Sequence, residues 1–179
     1  MAQKATIYKA ELELVDMDRN YYETHRLTLA CHPSETPERL MVRLLAFALN
    51  AHERLEFGKG ISEAEEPDLW IRDLTGEIEL WIELGHPEER TLVRALGRAR
   101  RVIVYTYSAN PDRWWDPIAR RFDGEGRLSV HNVSAASARE LALLARPTMS
   151  LQCSIQDGEV WVRDDREGAV RVEIADARA

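Results

Sequence analysis

Only two of the 179 residues are cysteine and only three are lysine. Cys31 and Cys153 lie far apart, inside alternating apolar segments. That placement excludes a disulfide framework or a cysteine zinc site and predicts two buried free thiols in a reducing compartment. The five histidines (His25, His32, His52, His86, His131) show no metal-ligand spacing. No apolar run approaches the roughly 18–20 residues of a membrane-spanning helix. Met1-Ala2-Gln3-Lys4 lacks the apolar stretch of a signal peptide. The expectation is a cytoplasmic protein with no membrane association. A phosphate-binding glycine loop, a dinucleotide fingerprint and a nucleophile elbow are all missing. The net charge of −7 argues against broad, non-specific coating of nucleic acid but leaves room for a local basic track.

What is present is ordinary globular composition, with 45% hydrophobic and 31% charged residues. The length suits one domain, 1–179, expected to be monomeric. Residues 4–15 alternate like a strand, Asp16 to Asn20 form a polar turn, and Arg26 to Cys31 alternate again. Thr36-Pro37 reads as N-cap and first helical residue. Leu40, Met41, Leu44, Leu45 and Ala48 then make one apolar stripe running to about Arg54. Pro87-Glu88 open another helix with Leu92, Val93 and Leu96 inward. Arg101 to Ser108 reads as a buried strand, so strand, helix and strand suggest a parallel crossover. A helix around Trp114-Trp115 to Phe122, a strand at Leu128 to Val133 and a helix from Ser134 through Leu144 follow. The end is strand: Thr148 to Gln156, a turn at Asp157-Gly158, Glu159 to Arg163, and Val170 to Ile174. The fold class is α/β: a mixed sheet with flanking helices and antiparallel C-terminal strands.

The segment Glu66-Pro67-Asp68-Leu69-Trp70-Ile71-Arg72, followed by Gly76 to Gly85, carries the most information. With a two-residue loop at Thr75-Gly76, Leu74 faces Glu77. Arg72 then faces Glu79, Trp70 faces Trp81 and Asp68 faces Glu83. The first two pairs stabilise that register by roughly 0.2–1 kcal/mol each. The third sets two carboxylates side by side, which is unfavourable without a cation or shared proton between them. A hard divalent metal is one occupant. Asp68 as a solvated turn residue and Glu83 pointing to water is the other reading.

The order strand, helix, carboxylate-bearing hairpin, helix, strand resembles the core of the PD-(D/E)XK nuclease superfamily. More closely, the chain resembles the YaeQ family. The blocks that carry the likeness are Lys4-Ala5-Thr6-Ile7-Tyr8-Lys9-Ala10 and His32-Pro33-Ser34-Glu35-Thr36, with Glu38-Arg39 and Arg43-Leu44-Leu45-Ala46. They continue with Leu80-Trp81-Ile82-Glu83-Leu84-Gly85, Thr106-Tyr107, and Thr148-Met149 to Ile155-Gln156-Asp157-Gly158. The resemblance implies a small bacterial protein with no established activity, built around a PD-(D/E)XK-like core. In that superfamily the Asp and Glu bind Mg2+ and the Lys assists the attacking water. The motif maps to Pro67-Asp68 and Glu83-Leu84-Gly85, so Gly85 stands where lysine is expected.

Asp68 and Glu83 are thus the candidate metal ligands, with Glu38 the candidate third acid and Glu35 its competitor. Glu38 could equally be a first-turn residue favoured by the helix dipole. Lys4 and Lys9 are candidates for a displaced lysine, or solvated strand residues. Arg90, Arg94 and Arg98 repeat every four residues and form either a phosphate track or a solvated helix face. Trp114-Trp115 could stack on bases, although core packing suits at least one of them better. Ser34 reads as part of a helix start. Two functions follow: a Mg2+-dependent nuclease with a degenerate motif, or a non-catalytic nuclease-like fold that binds nucleic acid or a protein partner.

Overall fold

Eleven strands and four α-helices make up the described part of the chain, residues 4–178 of the computed structural model. In chain order they are β1 (Thr6–Asp16), β2 (Tyr21–Cys31), α1 (Pro37–Leu49), β3 (Leu55–Phe57), β4 (Leu69–Arg72), β5 (Ile78–Leu84) and α2 (Glu89–Arg98). Then come β6 (Ala99–Thr106), α3 (Asp112–Ala119), β7 (Leu128–Val133), α4 (Ala135–Ala142), β8 (Thr148–Gln156), β9 (Glu159–Asp164), β10 (Ala169–Val172) and β11 (Ile174–Arg178). The strands form two mixed sheets, ordered β10-β9-β8-β1-β2 and β11-β7-β6-β5-β4-β3. The chain divides into two compact units, Met1–Met41 with Ala136–Glu173 and Val42–Ala135 with Ile174–Ala179. Neither unit is a continuous stretch, so no linker marks their boundary in the sequence.

In the first unit, β1 and β2 form the expected hairpin. Ala10, Leu12 and Leu14 are buried, and the alternate residues Lys9, Glu11 and Glu13 are exposed, as period-two alternation requires. Asp18 locks the hairpin turn by accepting the amides of Asp157 at 2.7 Å and Gly158 at 2.9 Å. β8 runs parallel to β1, and β9 and β10 extend the sheet antiparallel. Cys153 faces the core as expected, whereas Cys31 is only half-buried; both are free thiols.

The expected strand from Val170 to Ile174 is in fact two. β10 ends at Val172, and the Glu173 amide donates to the Ser137 hydroxyl at 2.9 Å instead of to a ladder. β11 then pairs antiparallel with β7 in the other sheet.

α1 begins as expected. The Thr36 hydroxyl accepts the Arg39 amide at 3.2 Å and Pro37 is the first helical residue. It ends at Leu49, short of Arg54, and it is not a single-stripe helix. Every residue from Leu40 to Ala48 is buried, Arg43 included. Such all-round burial belongs to a helix enclosed by protein. In the second unit, Phe47 stacks on Phe57 of β3 with centroids 5.5 Å apart, and Asn50 donates to the Tyr105 hydroxyl at 2.8 Å. β5, β6 and β7 are parallel, so β5-α2-β6 is the expected crossover. The core there joins Trp81 of β5 to Leu92 and Ala95 of α2, Val102 and Val104 of β6, and Trp115 and Phe122. Within α2, Ala95 takes the inward place expected of Val93, which is exposed.

Candidate carboxylate site on the β4–β5 hairpin

β4 and β5 pair so that Trp70 faces Trp81 and Leu69 faces Ile82. The two indoles meet edge to face, 6.3 Å apart at 86°. The paired residues begin at Leu69, so Asp68 lies just before the ladder. The route to this register differs from the sequence expectation. Gly76 donates to the Asp73 carbonyl at 3.0 Å and Asp73 donates to the Glu77 carbonyl at 2.8 Å, so the loop is the three residues Leu74-Thr75-Gly76. Gly76 has φ +89°, the left-handed residue of a turn closed by a G1 bulge. The Asp73 carboxylate fixes the loop by accepting the Thr75 hydroxyl and the Thr75 and Glu77 amides. Those contacts, the hydroxyl first, hold its carboxyl below the ordinary carboxylate range. The register then shifts between Ile71 and Arg72, with Glu79 as the extra residue. Turn and bulge offset each other by one residue, which restores Trp70 to Trp81.

The bulge overturns one expected contact. Glu79 receives Arg54 at 3.1 Å, and Arg72 instead binds Glu56 at 3.2 Å and lies 4.3 Å from the Trp70 ring centroid.

Asp68 is not a solvated turn residue; it is 1% exposed. Its amide donates to the Ile82 carbonyl at 3.0 Å, and its Oδ2 accepts the Leu84 amide at 2.9 Å. Gly60, at φ +45°, lies directly over Oδ1, where any added Cβ would collide with the carboxylate. Glu83 is half-buried, and its Oε1 accepts the Trp81 indole N–H at 2.8 Å. Both carboxylates make further contacts.

The remaining candidates lie elsewhere in the chain. Lys4 and Lys9 are exposed, Lys9 on the solvent-facing side of β1. Glu38 is half-buried in the first turn of α1. The Glu35 side chain is 2% exposed and pairs with Arg39 at 3.5 Å. Among the described residues, no three His, Cys, Asp or Glu side chains group so as to hold a metal ion. The donor set on the hairpin is therefore two carboxylates, each with one oxygen already accepting a hydrogen bond. Hard-cation sites with one or two protein carboxylates need substrate phosphate and water to complete them.

The arginine stripe of α2 is occupied. Arg94 binds Glu65 at 3.1 Å and the Ala64 carbonyl at 2.9 Å. Arg98 binds the Glu65 carbonyl at 2.8 Å and sits 5.1 Å from the Trp81 ring centroid. Arg90 pairs with Glu88 at 2.6 Å. Arg94 and Arg98 thus fasten the acidic segment before Pro67. Trp115 is core, and Trp114 donates to the Pro87 carbonyl at 2.9 Å with one face against His86, 5.4 Å away. Ser34 is held by His32 Nδ1, 2.7 Å from its hydroxyl, in the turn before α1.

One polar group went unread in the sequence. Beyond the carboxyl ends of β5 and β6, His86 Nε2 lies 3.3 Å from the Ser108 hydroxyl. Asn132 accepts the Ser108 amide at 3.2 Å and donates to its carbonyl at 3.1 Å. Burial lowers the His86 pKa and favours the neutral ring. The available cue was position: polar residues just past the carboxyl ends of parallel strands.

Fold and hairpin together define a mixed α/β protein with the Asp68 carboxylate hydrogen-bonded to the β5 backbone at Leu84, the residue after Glu83. The chain belongs to the YaeQ family: the sequence model described as YaeQ protein matches residues 1–174. It is 42% identical over 167 residues to the uncharacterized protein YaeQ of Escherichia coli strain K12, covering 93% of this chain and 92% of that protein. The Salmonella typhi counterpart is 43% identical over the same length, with the same coverage. The crystal structure of the YaeQ protein from Xanthomonas axonopodis pv. citri superposes with a TM-score of 0.93 at 45% identity, covering 98% of this chain and 99% of that one. That of the Pseudomonas syringae YaeQ protein gives 0.92 at 33% identity, covering 98% and 97%.

Proposed function

We propose that this YaeQ-family protein works by binding and not by hydrolysis, as a nuclease-like fold whose motif carboxylates have become structural. One observation carries the reading: Asp68 is buried, with an oxygen committed to the Leu84 amide. Gly85 in the lysine position and the fastened α2 arginines support it. Losing one charge-stabilising contact in a transition state typically costs about 2.7–4 kcal/mol. With a net charge of −7 and its arginine stripe neutralised, the chain suits a protein partner better than a nucleic acid.

The hydrogen bond that ties the Asp68 carboxylate to Leu84, next to Glu83, favours a second reading, a slow Mg2+-dependent phosphodiesterase. Asp68, Glu83 and Glu38 would be its acids, and Lys4 or Lys9 its displaced lysine. Cleavage of single- and double-stranded DNA and RNA with Mg2+, by wild type and the Glu83→Ala, Lys4→Ala and Lys9→Ala variants, separates the two. Binding predicts no cleavage by any of them. Mg2+-dependent cleavage that Glu83→Ala abolishes would establish the enzyme.

A further inference from the structure

The five-stranded sheet carries a cleft of about 600 Å³ on the β8–β9 hairpin. Strand pairing fixes its floor: Gln152 faces Arg163, Ser154 faces Trp161 and Gln156 faces Glu159, all on one side of the sheet. Met17, just past β1, also lines the cleft. Its amide donates to the Ile155 carbonyl at 2.8 Å, and the residue is 48% exposed. Asp18 ties down the rim through the Asp157 and Gly158 amides. The cleft thus stands on hydrogen-bonded backbone, and its volume is that of a small-molecule site.

Unused donors collect in it. The Arg163 guanidinium lies 4.9 Å from the Trp161 ring centroid, and its Nη1 donates to the Ser154 hydroxyl at 3.3 Å. Among the described residues no carboxylate pairs with Arg163, and neither the Trp161 indole N–H nor the Gln156 amide has a partner. The neighbouring arginines of this face are taken, Arg26 by Glu11 at 3.7 Å and Arg171 by Glu159 at 2.8 Å. Arg163 therefore presents a guanidinium fork, already braced by an indole and a hydroxyl, with no anion on it.

We propose that this cleft binds a small aromatic monocarboxylate, with its carboxylate on the Arg163 fork and its ring against Trp161 and Met17. A planar fork matches a carboxylate through two parallel hydrogen bonds. Indole and thioether are surfaces that aromatic rings favour. Charge limits the ligand to one anionic group. Glu159 lies four residues from Arg163 along β9, about 13 Å away, and Asp157 lies beyond it. Arg171 neutralises Glu159, but Asp157 makes no ion pair among the described residues. A second negative charge at that end meets the Asp157 carboxylate, so the cleft rejects polyanions. The site is separate from the β4–β5 hairpin and does not depend on what the hairpin does.

The test is calorimetric titration of the full chain with phenylacetate, phenylacetamide and inorganic phosphate. Saturable binding of phenylacetate is expected, with the amide and phosphate weaker by about tenfold or more, as losing a charged hydrogen-bonded contact requires. Arg163→Gln should weaken phenylacetate by a similar factor with an unchanged circular dichroism spectrum, and Trp161→Leu should weaken both the acid and the amide. A wild type that does not bind phenylacetate would overturn the proposal. So would phenylacetate binding that survives Arg163→Gln, or an amide that binds as tightly as the acid.

Discussion

Asp68 shows how one residue can hold a strand entrance together. Its carboxylate supplies the acceptor that the Leu84 amide lacks at the end of the ladder. Truncation to alanine leaves that amide without this partner, and burying an unsatisfied donor costs about 1–3 kcal/mol. Asp68→Ala should therefore unfold at lower urea concentration by that margin, and Asp68→Asn, which keeps an acceptor oxygen, by less. A purely metal-binding Asp68 would give the opposite ordering of effects: no loss of stability, and a loss of cation affinity in calorimetry. Cys153 offers a pH test. Burial first, and then the Asp16 charge, push its thiol from 9.0 up to about 12. The unfolded chain releases the proton near pH 9 while the folded chain keeps it, so this contribution is complete below pH 9 and is lost as pH rises toward 12. The stability difference between wild type and Cys153→Ala should shrink across that window when followed by denaturant melts. The thiol's burial was legible from the alternation around it. The burial of Asp68 was not, because a carboxylate after proline looks the same in sequence whether it meets water or a backbone amide.

The β4–β5 hairpin shows why a register can be read correctly through wrong details. The paired tryptophans fixed it, since aromatic faces gain from meeting across strands. The loop was one residue longer than the Thr75-Gly76 dipeptide suggests, because Asp73 gathers the Thr75 and Glu77 amides. The Glu79 bulge then took up the difference, and its ion pairs moved to Arg54. Short elements fared worse: β3, at three residues, leaves no periodicity to find. Gly76 is the hinge of this arrangement at φ +89°. Gly76→Ala places a Cβ in a left-handed conformation that costs roughly 1–2 kcal/mol. The expected outcome is a lower urea midpoint with the overall secondary structure retained, read by circular dichroism. A neutral substitution would mean that the turn relaxes to another type.

At the scale of the whole molecule, each sheet draws strands from distant parts of the chain. β11 closes the six-stranded sheet beside β7, although 40 residues separate Val133 from Ile174, its paired residue. Alternation alone could not show this, since β10 and β11 read as one continuous strand and only the Ser137 contact at Glu173 parts them. β11 is therefore an integral strand of that sheet. Ending the chain after Glu173 removes β11, which among the described residues is the strand beside the outer edge of β7. β7 carries buried Leu128, Val130 and Val133. An exposed apolar strand edge invites pairing with other chains. The truncated protein should thus show concentration-dependent light scattering and a lower melting temperature than the full chain. Adding the missing segment back as a peptide should reduce the scattering, because it restores hydrogen bonds to the β7 edge. If the truncated chain stayed monodisperse with an unchanged melting temperature, β11 would be an ornament on the sheet and not its closing strand.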